Sequence, residues 1–214
     1  MSAWPLFDLR IITPQLTLRL SPDVELMRLA EKAVGRVLPA ERADFMGPWT
    51  QIPSPEFERS FMQYHWLIRA NWKPEEWRLD LGVYPQGSEE PVGLMAVVGK
   101  GFAEMRSVTT GSWLLPEWRG KGLGREARAG VLQLAFAGLG ALEARSGAHA
   151  ENEPSHGVSR SLGYRPDGTE ISLTGGGARE TVRLLLRREE WEKRSRSDIE
   201  IQGLDACREM FGLS

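Results

Sequence analysis

The sequence predicts an α/β domain built on a mixed, mostly antiparallel sheet, and three observations carry that expectation. Short alternating strands are interleaved with amphipathic helical stretches, three successive strands are joined by short glycine-bearing turns, and a glycine-rich turn leads from an apolar strand into a helix. With 214 residues, 41% of them hydrophobic, the chain suffices for one domain with a real core, or one domain plus a tail.

Each element has its own signal. "LTLRL" (16–20) alternates as a strand, and in "SPDVELMRLAEKAV" Ser21 is the expected cap and Pro22 the first helical residue. Leu26, Leu29, Ala30 and Ala33 then form one apolar stripe. The Ser-Pro start recurs at Ser54, with Phe57, Phe61, Tyr64 and Ile68 on one face of a second helix. "WRLDLGVY" (77–84), "PVGLMAVVG" (91–99) and "SVTTGSWLL" (107–115) read as an antiparallel meander. A helix over 124–137 follows, then a strand "LGALEAR" (139–145) and a short helix over 153–162 stopped by Gly163. The strands "GYRPDGTEISL" and "ETVRLLLR", separated by "TGGGAR", close the pattern as a hairpin. No repeat or low-complexity linker interrupts it, so residues 1–190 are expected to form one domain and 191–214 a tail. In that tail Leu204, Cys207, Met210 and Phe211 have helical spacing, which predicts packing on the chain's own domain or on a second subunit in a homodimer.

Composition excludes several functions. A formal net charge of −2 with mixed signs along the chain provides no field for a nucleic-acid backbone. The single cysteine, Cys207, allows neither an internal disulfide framework nor a multi-thiolate metal site and is expected to be a structural thiol. No apolar run approaches the ~20 residues of a membrane span, and "MSAWPLFDLR" lacks a basic region followed by an apolar stretch. The cytoplasm is the expected compartment.

The most informative stretch is "LLPEWRGKGLGREARAG" (114–130). A dinucleotide fingerprint fails because the position where its third glycine belongs is Arg125, and a P-loop fails because Lys121 is followed by Gly122. What remains is a turn in which Gly120, Gly122 and Gly124 let backbone N–H groups converge at a helix start, a pocket for an anion. Arg119, Lys121 and Arg125 surround it, although cations beside a helix N-terminus are unfavourable by about 0.3–1 kcal/mol each unless an anion is bound. A diphosphate is the expected ligand.

"RGKGLG", read as Arg119-x-x-Gly122-x-Gly124, resembles the pyrophosphate-binding motif of the Gcn5-related N-acetyltransferase (GNAT) superfamily. "ENEPSHGVSRSLGY" resembles the Asn-x-x-Ser helix and Leu-Gly-aromatic ending of its RimJ/RimL branch, which acetylates ribosomal-protein N-termini. In element order the resemblance runs over about residues 11–188, and "WPLFDLRIITPQLTLRL" is similar to a bacterial subgroup that includes a succinyl-CoA-dependent member. It implies a sheet of about seven strands, splayed beside the strand that precedes the loop, with about four flanking helices. It implies acetyl-CoA or succinyl-CoA as acyl donor, without a metal, and an amine acceptor on a small molecule or protein terminus. By resemblance, Leu114 and Leu115 give the edge that pairs with pantetheine, and the amides of Arg119, Gly120, Lys121, Gly122, Leu123 and Gly124 hold the diphosphate.

The chemistry requires a neutral amine, a polarised carbonyl and a stabilised leaving thiolate. Asn152 matches a pantetheine-bonding position and also fits a helix cap, Ser155 matches a general acid near sulfur, and Tyr164 matches the family aromatic, with a core role the simpler reading. The base is not assigned by sequence: the family's glutamate falls near Thr174, with Glu170 and Glu180 on either side. His65, His149 and His156 are further possible bases, and their spacing fits no metal site. Phe45, Trp49, Phe57, Phe61, Tyr64, Trp66, Trp72 and Trp77 are candidates for an acceptor pocket or for core packing, and Arg179 is a candidate partner for a succinyl carboxylate. The competing reading is a domain that binds acyl-CoA without turning it over.

Overall fold

The computed structural model describes residues 3–37, 48–174 and 177–213. The strands are β1 (Arg10–Ile12), β2 (Leu16–Arg19), β3 (Glu76–Pro85), β4 (Gly93–Lys100), β5 (Ser107–Leu114), β6 (Glu143–His149), β7 (Arg165–Thr174), β8 (Gly177–Arg187) and β9 (Glu200–Gln202). The helices are α1 (Asp23–Ala33), α2 (Glu56–Ala70), α3 (Phe102–Met105), α4 (Leu123–Gln133), α5 (Glu153–Ser161) and α6 (Arg188–Glu192). The strands form one sheet in the order β7-β8-β6-β5-β4-β3-β2-β1-β9. All pairings are antiparallel except β5 with β6.

Alternation decides which side of the sheet each residue serves. On β3, Trp77, Leu79, Leu81 and Val83 join the main core, while the intervening Arg78, Asp80 and Gly82 point to the opposite face. α4 packs close on the main core, where a Cβ on Gly130 would lie 3.0 Å from Leu18 and 3.2 Å from Ile11. α1 and α2 cover the other face, burying Leu26, Leu29, Phe57 and Phe61 with Leu94 and Leu115. Each such side chain contributes about 1.5–3 kcal/mol on leaving water.

Several expected details are corrected. Ser21 does not cap α1; its Oγ is 2.6 Å from Tyr84 Oη across the sheet, and Pro22 occupies the cap position. Ser54 likewise spends its hydroxyl on Glu58 rather than on a helix amide. The strand expected at 139–145 starts at Glu143 and runs to His149, because α4 ends in a π turn over Leu134–Gly138 and Gly140 then turns with φ 76°. Among the described residues nine strands are found where about seven were expected, the additions being β1 and β9 at one edge.

The tail lies on the chain's own sheet. β9 pairs with β1, Cys207 and Phe211 are fully buried, and the Phe211 ring meets Trp77 edge-on at 4.9 Å. Trp72 donates its indole N–H to the Met210 carbonyl at 2.7 Å. Arg196 grips both carboxylate oxygens of Glu126 on α4. Burial pushes the Cys207 thiol up to about 11, as expected of a structural rather than reactive cysteine.

Candidate active site

The backbone ladder of β5 and β6 covers Ser107–Thr109 and Glu143–Arg145, the Ser146 hydroxyl still donates to the Thr110 carbonyl at 3.2 Å, and beyond Thr110 the two strands part. The Leu115 N–H donates to Val92 on the β4 side, so the alternation of an antiparallel edge turns the backbone groups of Ser112 and Leu114 toward the parting. Of the two residues expected on the edge, Leu114 is therefore there, and the Leu115 amide is not. The Leu114 carbonyl accepts from Arg119 Nε at 2.8 Å, and a second Arg119 nitrogen donates to the Val37 carbonyl. Arg119 thus ties the loop down, while Lys121 and Arg125 stay exposed beside the turn.

The turn has the backbone that its glycines predict. Gly120 (φ 71°) and Gly122 (φ 81°) are left-handed, and a Cβ on either would meet nothing within 4 Å. Backbone conformation, not crowding, requires glycine there. Gly122 caps α4, so the amides of Leu123, Gly124 and Arg125 open the helix without intrahelical partners. Gly124 itself is helical, and a Cβ there would touch only Leu114, at 3.8 Å. Lys121 Nζ lies 5.0 Å from the Trp118 ring centre.

Across the parting stands α5. Asn152 caps it, its side-chain oxygen accepting the Ser155 N–H at 3.4 Å. Ser155 is half-buried in the first turn. Tyr164 is a core residue, 3% exposed, with its hydroxyl 3.1 Å from Thr110 Oγ1. Burial raises its pKa, opposed by the nearby Arg128 charge. His156 is fixed to the fold, its Nε2 lying 3.0 Å from the His149 carbonyl that accepts it, and His149 Nδ1 is 3.1 Å from Thr181 Oγ1.

On the α1/α2 face a cavity of about 420 Å³ opens, walled by Trp49, Phe57, Phe61, Tyr64 and Trp113. Its floor is a row in register across three strands: Asp80 on β3, Ala96 on β4 and Gly111 on β5. A Cβ at Gly111 would meet nothing within 4 Å. Four of the eight candidate aromatics line this space. Trp66 instead donates to Asp23 at 2.8 Å, Trp72 and Trp77 pack against the tail, and Phe45 lies outside the described residues.

The cavity's ionisable groups come from α2 and β3. Asp80 is 7% exposed, accepts from Arg78 Nε at 2.8 Å and has Oδ2 3.9 Å from His65 Nδ1. Burial raises the Asp80 pKa and Arg78 works against that rise. Burial, reinforced by Arg69 and Arg78, pushes His65 down to about 3, so its imidazole is neutral at pH 7. Burial and the Asp80 charge push the Tyr64 hydroxyl up to about 12.

Sequence reasoning missed Asp80. Its signal was an acid between Leu79 and Leu81, two residues from Arg78, on a strand whose other inner positions are apolar. The acids weighed instead are elsewhere: Glu170 sits 4.0 Å from Arg183, Glu180 pairs with Ile171 on the β7–β8 hairpin, and neither lines the cavity. Arg179 stands opposite Ser172 on the same hairpin, whose tip at 175–176 lies outside the described residues. Among the described residues no cluster of metal-ligating side chains occurs, and no helix is long and apolar enough to cross a membrane.

A sheet parted beside a glycine turn at a helix start, with a second helix facing the gap, defines a class of acyl-CoA enzymes, and comparison with known proteins agrees. The family model of the acetyltransferase (GNAT) domain matches residues 16–165, well over half of the chain, and the protein belongs to that family of N-acetyltransferases. Its fold is similar to that of Mycobacterium smegmatis RimJ, solved with CoA-disulfide: TM-score 0.70, 18% identity, covering 87% of this chain and 90% of that one. It is also similar to ribosomal-protein-S5-alanine acetyltransferase from Vibrio fischeri, with TM-score 0.66 and 15% identity over 85% and 98% of the two chains. The spermidine/spermine N-acetyltransferase SpeG from Vibrio cholerae matches with TM-score 0.62 and 20% identity over 85% and 99%.

Proposed function

We propose that the protein moves an acyl group, acetyl in the simplest case, from a CoA thioester to a primary amine by direct attack. The observation that carries this reading is the parting of β5 from β6 beyond Thr110, which leaves the Ser112 and Leu114 edge running into the left-handed glycine turn at α4. In this reading the diphosphate lies on the amides of residues 119–124, and the pantetheine pairs with the β5 edge. Asn152 holds the pantetheine while capping α5, and Ser155 protonates the leaving sulfur.

The acceptor enters from the cavity on the other face, its amine against Gly111 and its body among the aromatic walls. The attacking nitrogen must first be neutral. At pH 7 this costs about 4.6 kcal/mol for a lysine-like amine with pKa about 10.4 and only about 1 for an α-amine near 7.8. Asp80 is the proton acceptor in this reading. Its backbone lies two strand spacings, about 10 Å, from Gly111, so the proton crosses through water. Among the described residues the cavity is aromatic and has one carboxylate, Asp80, already paired with Arg78, a lining that suits one amine on an apolar body.

The branch is read as RimJ/RimL-like, from the Asn152-x-x-Ser155 helix and the Leu162-Gly163-Tyr164 ending. Succinyl-CoA is the alternative donor. CoA release with a panel of primary amines tests the assignment: turnover with at least one amine is expected. Donor binding without release across the panel would leave an acyl-CoA-binding domain. Ser155→Ala is expected to lower kcat 10-fold or more with acetyl-CoA affinity nearly intact, and an unchanged kcat removes Ser155 from the mechanism.

A further inference from the structure

Arg128, in the second turn of α4, is a buried cation without an anion among the described residues. It is 4% exposed, its Nη1 donates to Ser159 Oγ at 2.8 Å, its Nη2 reaches Ser112 Oγ at 3.5 Å, and its Nε has no hydrogen-bond partner. Among the described residues no carboxylate pairs with it, and the ionisable group near it is the Tyr164 phenol, which burial keeps neutral. Glu126, two residues earlier on α4, is committed to Arg196. A buried charge ordinarily has a charged partner, because two hydroxyl dipoles do not replace the water that a guanidinium gives up.

Its position says where the missing partner belongs. Ser112 is exposed on the parted edge of β5. Ser159 lies one turn beyond Ser155 on α5 and donates to the Ser155 carbonyl at 3.0 Å. The guanidinium therefore spans the wedge between the β5 edge and α5, where the proposed function puts the thioester end of the donor. We infer that Arg128 is a cation site for an anionic group carried at that end of acyl-CoA, either a carboxylate terminating the acyl chain or the thiolate released by the reaction. The inference rests on the donor-cleft reading.

Both sources fit the chemistry. A carboxylate meets a guanidinium through paired N–H donors, and Arg128 has donors left after its two serine contacts. In acyl transfer the amine nitrogen forms its bond to the carbonyl carbon, the carbon–sulfur bond breaks, and sulfur keeps the electron pair. That thiolate carries a full negative charge until it takes a proton, and a fixed cation stabilises it without rearranging.

Arg128→Met, similar in length and uncharged, and Arg128→Lys, which keeps the charge, separate the possibilities. The measurements are the ligand-free Tm, kcat and KM with acetyl-CoA and with succinyl-CoA, and the Kd of free CoA. Arg128→Met is expected to keep or raise the ligand-free Tm, because an unpaired buried charge is removed. If the anion is an acyl carboxylate, the succinyl-CoA KM rises at least 10-fold while acetyl-CoA constants stay within twofold. If it is the thiolate, kcat falls at least 10-fold with both donors and free CoA loses more affinity than acetyl-CoA. In either case Arg128→Lys recovers part of the loss. Constants within twofold of wild type for both donors overturn the inference, and a lowered Tm with unchanged kinetics reduces Arg128 to a structural brace. If no acyl-CoA raises the wild-type Tm, the donor-cleft reading falls first.

Discussion

The Asp80–His65 pair shows how one residue's surroundings set its chemistry. His65 is held near pKa 3 in the folded state, against about 6.5 in an unfolded chain, so the unfolded chain binds the proton more tightly. The stability this histidine contributes is complete above pH 6.5 and drains as pH falls toward 3, by up to about 1.4 kcal/mol per pH unit. Asp80, with its pKa raised by burial, works in the opposite sense, favouring the folded state as pH falls. His65→Gln is therefore expected to flatten the stability profile between pH 6.5 and 5, as read by urea denaturation; an unchanged slope would show that His65 is not the group being protonated. Asp80→Asn is expected to lower kcat/KM for amines about 100-fold or more while leaving the acetyl-CoA Kd alone. A kcat/KM within threefold of wild type would take Asp80 out of the proton path. At this scale the sequence was only partly legible. Ser155 and Asn152 sit in a recognisable helix, but Asp80 gains its buried setting from α2, which folds over β3 and strips the water from it.

At the scale of elements, periodicity located the meander, α1, α2, α4 and the final hairpin, because each carries its own apolar face. What the sequence could not show were decisions made across the sheet. Ser21 has the right spacing for a cap, yet Tyr84 offers its hydroxyl a buried partner. β1 and β9 are three residues each, too short for alternation to register, and they are strands because the sheet edge receives them. The glycine turn separates into positions of different kind. Gly122→Ala places a side chain at φ 81°, costing about 1–2 kcal/mol, and is expected to weaken acetyl-CoA binding at least 10-fold. Gly124→Ala adds a methyl at a helical position 3.8 Å from Leu114, and stability is expected to hold within about 1 kcal/mol. Equal donor affinity for wild type and Gly122→Ala, by calorimetry, would show that the left-handed turn is not part of the site. Gly111→Val puts a branched side chain on the cavity floor at a position where a Cβ meets nothing within 4 Å, and an amine KM raised at least 10-fold is the expected result. An unchanged KM would place the acceptor elsewhere.

In the proposed reading the whole molecule is a sheet with a binding space on each side of one strand, β5: a donor cleft along its free edge and an acceptor cavity over its α1/α2 face. The donor side was readable because it is local, a loop and a helix within about fifty residues. The acceptor side was not, since its walls and floor come from residues 49–65, 78–80, 94–96 and 111–113, which only the folded sheet brings together. The tail binds this assembly from one end. Phe211→Ala removes a fully buried ring from the Trp72–Trp77 cluster and is expected to destabilise the protein by about 3–5 kcal/mol. A loss under 1 kcal/mol in thermal melts would mean that the tail is not integral. The central claim, that β5 and its glycine turn form an acyl-CoA cleft, is tested most directly by the melting temperature with and without saturating acetyl-CoA. A ligand at a hundred times its Kd adds about 2.7 kcal/mol, roughly 5–10 °C for a chain of this size, and a rise of that order is the predicted result. No rise with acetyl-CoA or succinyl-CoA would contradict the account.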